Sequence, residues 1–329
     1  MTTEPEAAPS SIPASPGAED DAVLDVTDLS ISFTRYVAGL RRRRLEVVSG
    51  LDLMVRPGEV VAVVGSSGSG KSLLAHAVLG ILPPNAVVGG TIRYRGTPLD
   101  ERRLRRLRGR EIALIPQSVN HLDPVHRTGT QVERAAYLAG HDQPGARASG
   151  ALTRLGLDAA AARRYPFELS GGMARRALTA IGTVGHPRLV IADEPTPGLH
   201  PEVVVETLRA LRSLADGGAG VVLITHDLAV SLTVADTVVT FYAGSTVEAA
   251  PASAFTGHGA ELRHPYTSAL WAALPANGFT PLPGAQPLPD SLPSGCLFAD
   301  RCPMATIACE EARPEPRPVG RSIVRCIHA

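Results

Sequence analysis

One glycine-rich segment, residues 65–72, strongly limits the folds that this sequence can adopt. It follows an apolar run at residues 59–64 and precedes a stretch of helical character at residues 72–79. A strand, a glycine-rich loop and a helix N-terminus in this order form a cradle for phosphate oxygens, because glycines let backbone N–H groups turn inward without Cβ clashes. The segment therefore predicts a nucleotide-binding loop rather than a flexible turn. Its residues are Gly65, Ser66, Ser67, Gly68, Ser69, Gly70, Lys71 and Ser72.

Lys71 and Ser72 have the chemistry that such a loop needs at its end. The Lys71 ammonium can reach the β- and γ-phosphates, and the Ser72 hydroxyl can ligate Mg²⁺. Of the 32 lysine and arginine residues in the chain, Lys71 is the only lysine. A compact ammonium suits a phosphate loop better than the planar guanidinium of arginine. The only lysine of the chain therefore stands at the position where this difference matters. The two residues predict a nucleotide bound together with Mg²⁺.

The overall composition excludes several function classes. The formal net charge is zero, so a general attraction to nucleic acid is not indicated. No apolar run approaches the ~20 residues that span a bilayer. The first residues also lack the basic-then-apolar pattern of a secretory signal. We therefore expect a soluble, intracellular protein without a nucleic-acid partner, whose membrane contacts come through other proteins.

Changes in composition divide the chain into three parts. Residues 1–21 are rich in Pro, Ala, Ser and Glu and predict a disordered tail. Residues 22–255 predict one α/β nucleotide-binding domain, in which an Ala/Leu/Arg-rich stretch from about 120 to 185 forms a helical part. Residues 256–329 predict an extension that becomes Pro-rich and irregular after Pro275.

Two intensely apolar runs, residues 188–192 and 220–225, predict strands that are buried on both faces. Such strands belong to a mostly parallel sheet with helices on both sides. Asp193 and Glu194 directly follow the first run, and His226 follows the second. Because the carboxyl ends of parallel strands meet at one edge, we expect these side chains to lie beside the phosphate loop.

The three side chains fit three roles around a triphosphate. Asp193 is placed to hold Mg²⁺, commonly through its waters, and Glu194 can polarise the attacking water as general base. His226 can sense or bind the γ-phosphate. Taken singly, the carboxylates could cap a helix and the histidine could be a satisfied core residue. Three such strand ends in one chain favour the catalytic interpretation.

From about residue 23 to residue 247, the order of motifs resembles the ATP-binding subunit of an ABC transporter. Residues 169–173, Leu-Ser-Gly-Gly-Met, carry this resemblance most specifically. It implies MgATP hydrolysis and a P-loop fold in which a mostly parallel core carries an antiparallel β subdomain and a helical subdomain. It also assigns Gln117 to contact Mg²⁺ and the membrane subunit, and Phe33 to stack on adenine. The residues that would close over the nucleotide of a second subunit are Ser170, Gly171 and Gly172.

Two of these assignments have plainer alternatives. Read alone, Ser170 and the glycines after it could be an ordinary helix N-cap, although such a helix start is also a ready anion site. Core packing at the end of a strand explains Phe33 about as well as adenine stacking does.

The C-terminal third resembles one branch of this family. Residues 242–244 (Tyr-Ala-Gly), 264–270 (His-Pro-Tyr-Thr-Ser-Ala-Leu) and 295–303 look like the tail of the oligopeptide, dipeptide and nickel importer ATPases. This resemblance implies two transmembrane permease subunits, an extracytoplasmic solute-binding protein and a second, non-identical ATPase. The chain would then lie peripherally on the cytoplasmic face of the cell membrane. Peptide and nickel systems share this tail, so both substrates stay open.

The chain departs from the family pattern at one position of the D-loop. His200 stands where the family normally carries aspartate. A histidine, neutral or cationic near pH 7, cannot reproduce a carboxylate's contacts across a dimer. We therefore expect the two ATP sites of the assembled transporter to differ in activity.

All four cysteines, Cys296, Cys302, Cys309 and Cys326, lie in the last 34 residues. Four thiols gathered in a Pro-rich tail with little apolar material predict an intracellular Cys₄ metal site. Their wide C-x₅-C-x₆-C-x₁₆-C spacing suits a [4Fe–4S] cluster, and zinc is the alternative metal. Unligated thiols or an adventitious disulfide are the plainer interpretation. The expected role is structural, since a metal would supply folding free energy that the tail lacks.

Two other functions compete with that of an importer subunit. A soluble ABC protein that works on ribosomes or DNA usually has two cassettes in one chain and a strongly basic surface. This chain has one phosphate loop and no net charge. An exporter ATPase fits the cassette, but it leaves residues 264–267 and the cysteines unexplained.

Overall fold

The computed structural model describes residues 21–36 and 42–329, so all but Asp21 of the predicted N-terminal tail lies outside the described residues. The strands are β1 (Leu24–Tyr36), β2 (Arg42–Val55), β3 (Val60–Val64), β4 (Ala86–Tyr94), β5 (Thr97–Pro98), β6 (Ile112–Ile115), β7 (Leu189–Asp193), β8 (Gly220–Thr225), β9 (Thr237–Tyr242), β10 (Ser245–Pro251), β11 (Arg317–Val319) and β12 (Ser322–Val324). The α-helices are α1 (Lys71–Val78), α2 (Glu101–Leu107), α3 (Thr128–Leu138), α4 (Pro144–Arg154), α5 (Ala159–Ala162), α6 (Gly171–Thr183), α7 (Pro201–Asp216), α8 (Leu228–Ser231), α9 (Pro265–Ala272) and α10 (Ile307–Glu311).

The central sheet contains eight strands in the order β11-β12-β10-β9-β3-β8-β7-β6. The strands from β9 to β6 pair in parallel, as the apolar runs predict. Every residue of β3, β7 and β8 is buried. Leu211 of α7 packs with Val190 on one face, and Leu74 of α1 packs with Ile191 on the other. The predicted α/β fold with helices on both sides of a mostly parallel sheet is confirmed.

A second sheet is antiparallel and has the order β2-β1-β4-β5. Its buried side chains, including Leu24, Leu29 and Leu51, belong to the same core cluster as Leu74 of α1. Phe33, near the end of β1, is half-buried and packs against this cluster. The antiparallel part that the resemblance implies is therefore present, and it shares a core with the helix that follows the phosphate loop.

Four helices, α3, α4, α5 and α6, follow β6 and precede β7 in the chain. They share a separate cluster of buried side chains, mainly alanines and leucines. Small side chains such as Ala136 and Ala177 are fully buried there. Gly182 of α6 lies directly against β6, because a Cβ at this position would come within 2.6 Å of the Ile115 side chain. The alanine-rich composition thus produces the predicted helices, and α6 joins them closely to the sheet.

The residues after Pro275 contain more regular structure than the sequence predicts. β11 and β12 form a hairpin, and β12 pairs with β10 to extend the central sheet. Phe298 is 1% exposed, with its ring centroid 5.3 Å from Tyr242 and 5.4 Å from Tyr266. Most of residues 276–329 lie outside helices and strands, as predicted, but the extension shares an apolar core with the main body, which was not predicted. The apolar partners of Phe298 come from β9 and α9, which the composition of the extension alone does not reveal.

Helix α9 begins at a buried histidine. His264 is 1% exposed, and its Nδ1 accepts a hydrogen bond from the backbone N–H of Tyr266 at 3.1 Å, which caps the helix. The Glu248 carboxylate accepts from the backbone N–H groups of Arg263 and His264, both at 2.9 Å. Burial lowers the pKa of His264 to about 3. This histidine is therefore neutral and structural.

We expect His264 to make the folded protein sensitive to acid. Its pKa in the folded state lies below the ordinary value of 6.5, so the unfolded chain binds the extra proton between these two pH values. The stabilisation is complete above pH ~6.5 and falls as the pH drops toward 3, by at most about 1.4 kcal/mol per pH unit. His264→Asn keeps an acceptor for the cap and should flatten this dependence in urea unfolding between about pH 7 and 4.5. Equal slopes for both proteins would assign the acid sensitivity to other groups.

Candidate functional site

The glycine-rich loop connects β3 to α1, as predicted. Gly65 has no room for a side chain, because a Cβ would lie 2.2 Å from the carbonyl oxygen of Phe241. Gly70 adopts a φ of 97° directly before α1, in the left-handed region that favours glycine. Residues 66–68 are exposed. The loop is therefore fixed at both ends and open to a ligand in the middle.

The Lys71 side chain, at the start of α1, folds back into the glycine-rich loop. Its Nζ donates to the carbonyl oxygens of Gly65 at 2.8 Å and Ser66 at 2.9 Å, and lies 3.5 Å from Ser69 Oγ. Burial lowers the pKa of Lys71, and two nearby carboxylates oppose this change. The ammonium is thus placed where phosphate oxygens would enter the loop.

Ser72 and Asp193 meet between α1 and the end of β7. The Ser72 hydroxyl donates to Asp193 Oδ1 at 3.1 Å. Burial raises the pKa of Asp193, and the hydrogen bond from Ser72 acts in the opposite direction. Hydroxyl and carboxylate oxygens are ligands of the kind that Mg²⁺ prefers. The donor set of this pair therefore fits Mg²⁺.

Glu194 has an unusual backbone conformation beside His226. Its φ is 46°, a left-handed value that is strained for a glutamate. Its backbone N–H donates to the Ile224 carbonyl oxygen at 2.9 Å, which ties it to β8. Its carboxylate oxygens lie 2.9 and 3.0 Å from His226 Nδ1. The two predicted catalytic side chains are therefore in direct contact.

The structure brings the predicted groups to four neighbouring strand ends. β6, β7, β8 and β3 are adjacent in this order. Gln117 follows β6 and is exposed, Asp193 ends β7, and His226 follows β8. The phosphate loop follows β3. One edge of the sheet thus presents the glycine-rich loop, the oxygen atoms of Ser72 and Asp193, and the contact between Glu194 and His226.

The segment formed by Ser170, Gly171 and Gly172 begins α6 and does not directly follow any of these strands. The Ser170 hydroxyl accepts from the backbone N–H of Met173 at 3.3 Å and caps the helix. Gly171 is exposed, and a Cβ there would meet nothing within 4 Å. In the part of the chain that the structure describes, no hydrogen bond joins this segment to the phosphate loop. The N-terminus of α6 is therefore exposed at Ser170 and Gly171.

Arg175 is a neighbour of the site that the sequence did not reveal. Its Nη1 donates to the Glu194 carbonyl oxygen at 3.1 Å, so α6 is tied to the end of β7. The next residue, Arg176, instead donates to the carbonyl oxygens of Leu155 and Gly156 within the helical part. No sequence signal separates the two arginines, because only the packing of α6 decides which one faces the sheet.

Two other predicted residues lie at the margins of the site. Phe33 packs partly against the core, and the rest of its surface is accessible. His200 is exposed and precedes α7 without capping it through its side chain. Both positions are compatible with contacts to a nucleotide or a second subunit, and both roles stay predictions.

The four cysteines lie in one region of the extension as free thiols. Burial raises the pKa of Cys296, and the neighbouring Cys309, Cys326 and Cys302 raise it further. Within residues 21–36 and 42–329, however, no group of three or more His, Cys, Asp or Glu side chains is arranged to hold a metal ion. Cys309 Sγ instead lies 3.4 Å from His328 Nε2. The predicted [4Fe–4S] or zinc site is therefore not supported by this arrangement of side chains.

Comparison with known proteins identifies the family. Residues 48–197 match the family described as ABC transporter, and residues 247–309 match the one described as oligopeptide/dipeptide transporter, C-terminal region. A protein of Brucella abortus named as a peptide import ATP-binding protein is 36% identical over 321 residues, which cover 92% of this chain and 94% of the relative. The chain belongs to the ABC transporter ATPase family.

Other matches differ in how much they cover. The oligopeptide transport ATP-binding protein OppD of Mycobacterium tuberculosis is 38% identical over 89% of this ATPase, which spans about half (49%) of that relative's length. The dimeric ATP-binding cassette MJ0796 bound to ADP and phosphate has a TM-score of 0.61 at 22% identity, covering 70% of this chain and 98% of that one. Another ATP-binding subunit of an ABC transporter has a TM-score of 0.59 at 26% identity, covering 71% and 91%. These solved structures share the cassette fold.

We expect MgATP to protect the single lysine of this ATPase from acylation. The lowered pKa of Lys71 leaves more of its amine neutral and nucleophilic, and bound phosphates would cover it. Peptide mass spectrometry after treatment with an acylating reagent should show roughly tenfold less modification of Lys71 when MgATP is present at about ten times its Kd. The α-amino group of the same chain serves as the reference. Equal modification with and without MgATP would show that phosphates do not occupy the loop.

Proposed function

We propose that this chain is the ATP-hydrolysing subunit of a membrane importer for peptides. One observation carries the proposal: the four strand ends with their reactive groups and the oligopeptide/dipeptide C-terminal region occur in one chain. A soluble ABC protein or an exporter ATPase would leave that C-terminal region unexplained. The names of the relatives, which refer to peptide and oligopeptide transport, support peptides over nickel as the solute.

The phosphate loop is the proposed binding site for the nucleotide. Its backbone N–H groups and Lys71 would hold the phosphates, and Phe33 would stack on the adenine. Ser72 and Asp193 would hold Mg²⁺, which neutralises charge on the phosphate oxygens. Gln117 would contact this Mg²⁺ and the membrane subunit.

Glu194 is the proposed general base. Its carboxylate lies at the strand ends beside the phosphate loop and would accept a proton from the water that attacks the γ-phosphate. His226 would orient this carboxylate by donating from Nδ1, and would sense the γ-phosphate. The strained backbone at Glu194 supports a functional role, because such strain persists where the surrounding structure enforces it.

A second ATPase subunit would complete each ATP site. The exposed segment formed by Ser170, Gly171 and Gly172 would close over the nucleotide bound by the partner chain. The open N-terminus of α6 supports this role, since its backbone N–H groups are suited to phosphate oxygens.

A groove beside α1 is the proposed docking surface for a permease. It has a volume of about 340 Å³ and lies between the end of α1, β6 and the helical part. Apolar side chains line it, including Ile81 and Leu138, which are 44% and 48% exposed. β6 leads from this groove to Gln117. A permease segment in the groove would therefore press on the strand that precedes a proposed Mg²⁺ contact.

The remaining partners and the location follow from the importer proposal. Two permease subunits would span the membrane, and an extracytoplasmic solute-binding protein would deliver the peptide. No helix in the described part of the chain is long and apolar enough to cross a bilayer. The chain would lie on the cytoplasmic face of the membrane, with residues 22–255 as the nucleotide-binding domain and residues 256–329 as the importer extension.

Replacing Glu194 by Gln tests this proposal. Glutamine keeps the size of the side chain but cannot accept the proton, so ATP binding should persist while kcat falls by roughly 100-fold or more. The ATPase is reconstituted in vesicles with permeases and a solute-binding protein of a peptide importer, and ATP hydrolysis and uptake of labelled short peptides are measured. Glu206→Gln, at an exposed position of α7, is the matched control and should leave both rates unchanged.

Three outcomes would contradict parts of this proposal. Wild-type hydrolysis by Glu194→Gln would remove Glu194 from the mechanism. Hydrolysis coupled to uptake of a nickel chelate, without peptide uptake, would replace the solute. Hydrolysis without any response to the permeases would favour a soluble ABC protein.

We further propose that this chain pairs with a different ATPase and that the two ATP sites turn over unequally. His200→Asp should change the hydrolysis rate of the assembled transporter, because it restores a carboxylate at the expected dimer contact. Aspartate would also cap α7, which His200 does not do. His200→Asn is therefore the matched control, since it caps without adding charge. Equal rates for all three proteins, or a transporter that contains only this ATPase, would contradict the idea.

The described side chains are not arranged around a metal ion, so a metal centre at the four cysteines would require them to move together. We propose such a centre from their spacing alone, with a [4Fe–4S] cluster favoured over zinc. The backbone N–H of His328 donates to Cys326 Sγ at 3.4 Å. A hydrogen bond of this kind stabilises a thiolate at a metal centre. Burial raises the pKa of Cys296 and Cys302, so a metal would have to displace their protons.

Metal analysis after anaerobic purification tests the cysteine proposal. We expect roughly four iron and four acid-labile sulfide per chain, lost in Cys302→Ser. Met304→Leu, two residues after this cysteine and exposed, is the matched control and should keep the iron. Stoichiometric zinc without sulfide would refute the cluster, and the absence of both metals would refute the site.

A further inference from the structure

A short loop of the C-terminal extension connects two elements of the proposed nucleotide site. We refer to residues 282–292 as the strap. Leu282 and Leu292, at its two ends, pack against the same apolar cluster, which contains Tyr242 and Phe298. The strap therefore leaves this cluster and returns to it, and its middle is free to reach other parts of the molecule.

Arg301 fixes the first end of the strap. Its Nε donates to the Pro283 carbonyl oxygen at 2.8 Å, and its Nη2 donates to the Leu282 carbonyl oxygen at 3.3 Å. Its Nη1 donates to the Tyr242 hydroxyl at 3.1 Å, which ties the same guanidinium to β9. β9 pairs with β3, the strand that leads into the phosphate loop. The first end of the strap is thus anchored to the strand beside β3, close to the residue at which the phosphate loop begins.

The middle of the strap makes polar contacts with two separate elements. Gln286 Oε1 accepts from the Ser66 hydroxyl at 2.7 Å. The Asp290 carboxylate lies 3.5 Å from Arg35 Nη2, and its backbone carbonyl oxygen accepts from Arg43 Nη2 at 2.8 Å. Ser66 belongs to the phosphate loop, whereas the two arginines belong to β1 and β2. The strap therefore bridges the phosphate loop and the antiparallel sheet that carries Phe33.

The sequence between these contacts makes the bridge stiff. Residues 286–290 read Gln-Pro-Leu-Pro-Asp, and each proline fixes its own φ and restricts the residue before it. The Ser291 backbone N–H donates to the Leu288 carbonyl oxygen at 2.9 Å, so the second proline lies in a tight turn. A bridge of this kind resists changes in the distance between its two contacts.

We propose that the strap is a clamp that raises ATP affinity, with Gln286 as a positioning residue for the phosphate loop. The proposal rests on the nucleotide site proposed above. Ser66 is exposed, and by holding its hydroxyl the Gln286 amide keeps the loop in one conformation before phosphates arrive. A loop that is already ordered loses less conformational freedom when it binds, so the nucleotide binds more tightly.

Nucleotide affinity of the full chain tests the clamp. In titrations with a fluorescent ATP analogue, Gln286→Ala should raise the Kd by about five- to tenfold, the effect of one lost hydrogen bond. Asp290→Ala, which removes the ion pair with Arg35, should raise it by a smaller factor. Leu288→Ala is the matched control, because this side chain is 65% exposed in the same strap. It should leave the Kd unchanged.

A double-mutant cycle separates positioning from general destabilisation. If Gln286 acts through the Ser66 hydroxyl, Gln286→Ala should have no further effect on the Kd in a Ser66→Ala background. A purely structural defect would add to that of Ser66→Ala. By reciprocity, MgATP should slow amide hydrogen exchange in residues 282–292 of the wild type, and less so in Gln286→Ala.

The outcomes distinguish failure of the clamp from failure of the proposed function. If the wild type binds no ATP analogue, the nucleotide site itself is refuted. If the wild type binds and Gln286→Ala binds equally well, the clamp alone is refuted. Additive effects in the double mutant, or strap exchange that does not respond to MgATP, would also overturn the clamp.

Discussion

Parallel pairing of β3, β8, β7 and β6 is the constraint on which the rest of the structure depends. Parallel strands all end at the same edge of a sheet, so residues far apart in the chain meet there without needing affinity for one another. The pairing is held by apolar side chains on both faces, and its register places Asp193 opposite Ile224 and Ala192 opposite Leu223. A slip of this register would separate Asp193 from Ser72 of α1.

The groups at this edge oppose the stability of the fold through desolvation and backbone strain. Lys71 and Asp193 are buried, and desolvation disfavours the charged form of each. Glu194 adds backbone strain beside them. The surrounding strands compensate through complete apolar burial, which is why the cluster can exist in a stable protein. A triphosphate would place negative charge beside the Lys71 ammonium, and Mg²⁺ would place positive charge beside the Asp193 carboxylate.

The C-terminal extension is better described as part of the fold than as an appendage. Its hairpin extends the central sheet, and Phe298 shares an aromatic cluster with Tyr242 of β9. The extension thus obtains from the main body the apolar surface that its own composition lacks. This arrangement weakens the argument that it needs a metal in order to fold. It also brings the extension within reach of the phosphate loop.

Local patterns in the sequence determined the elements and much of the proposed active site. Two-sided apolar runs predicted β7 and β8, and the glycine-rich loop was identified because its backbone needs particular residues. Only the tertiary structure decided that Gln286 contacts Ser66, 220 residues away in the chain. Contacts of this kind depend on how elements pack, and packing between distant segments leaves no periodic signal in a single sequence.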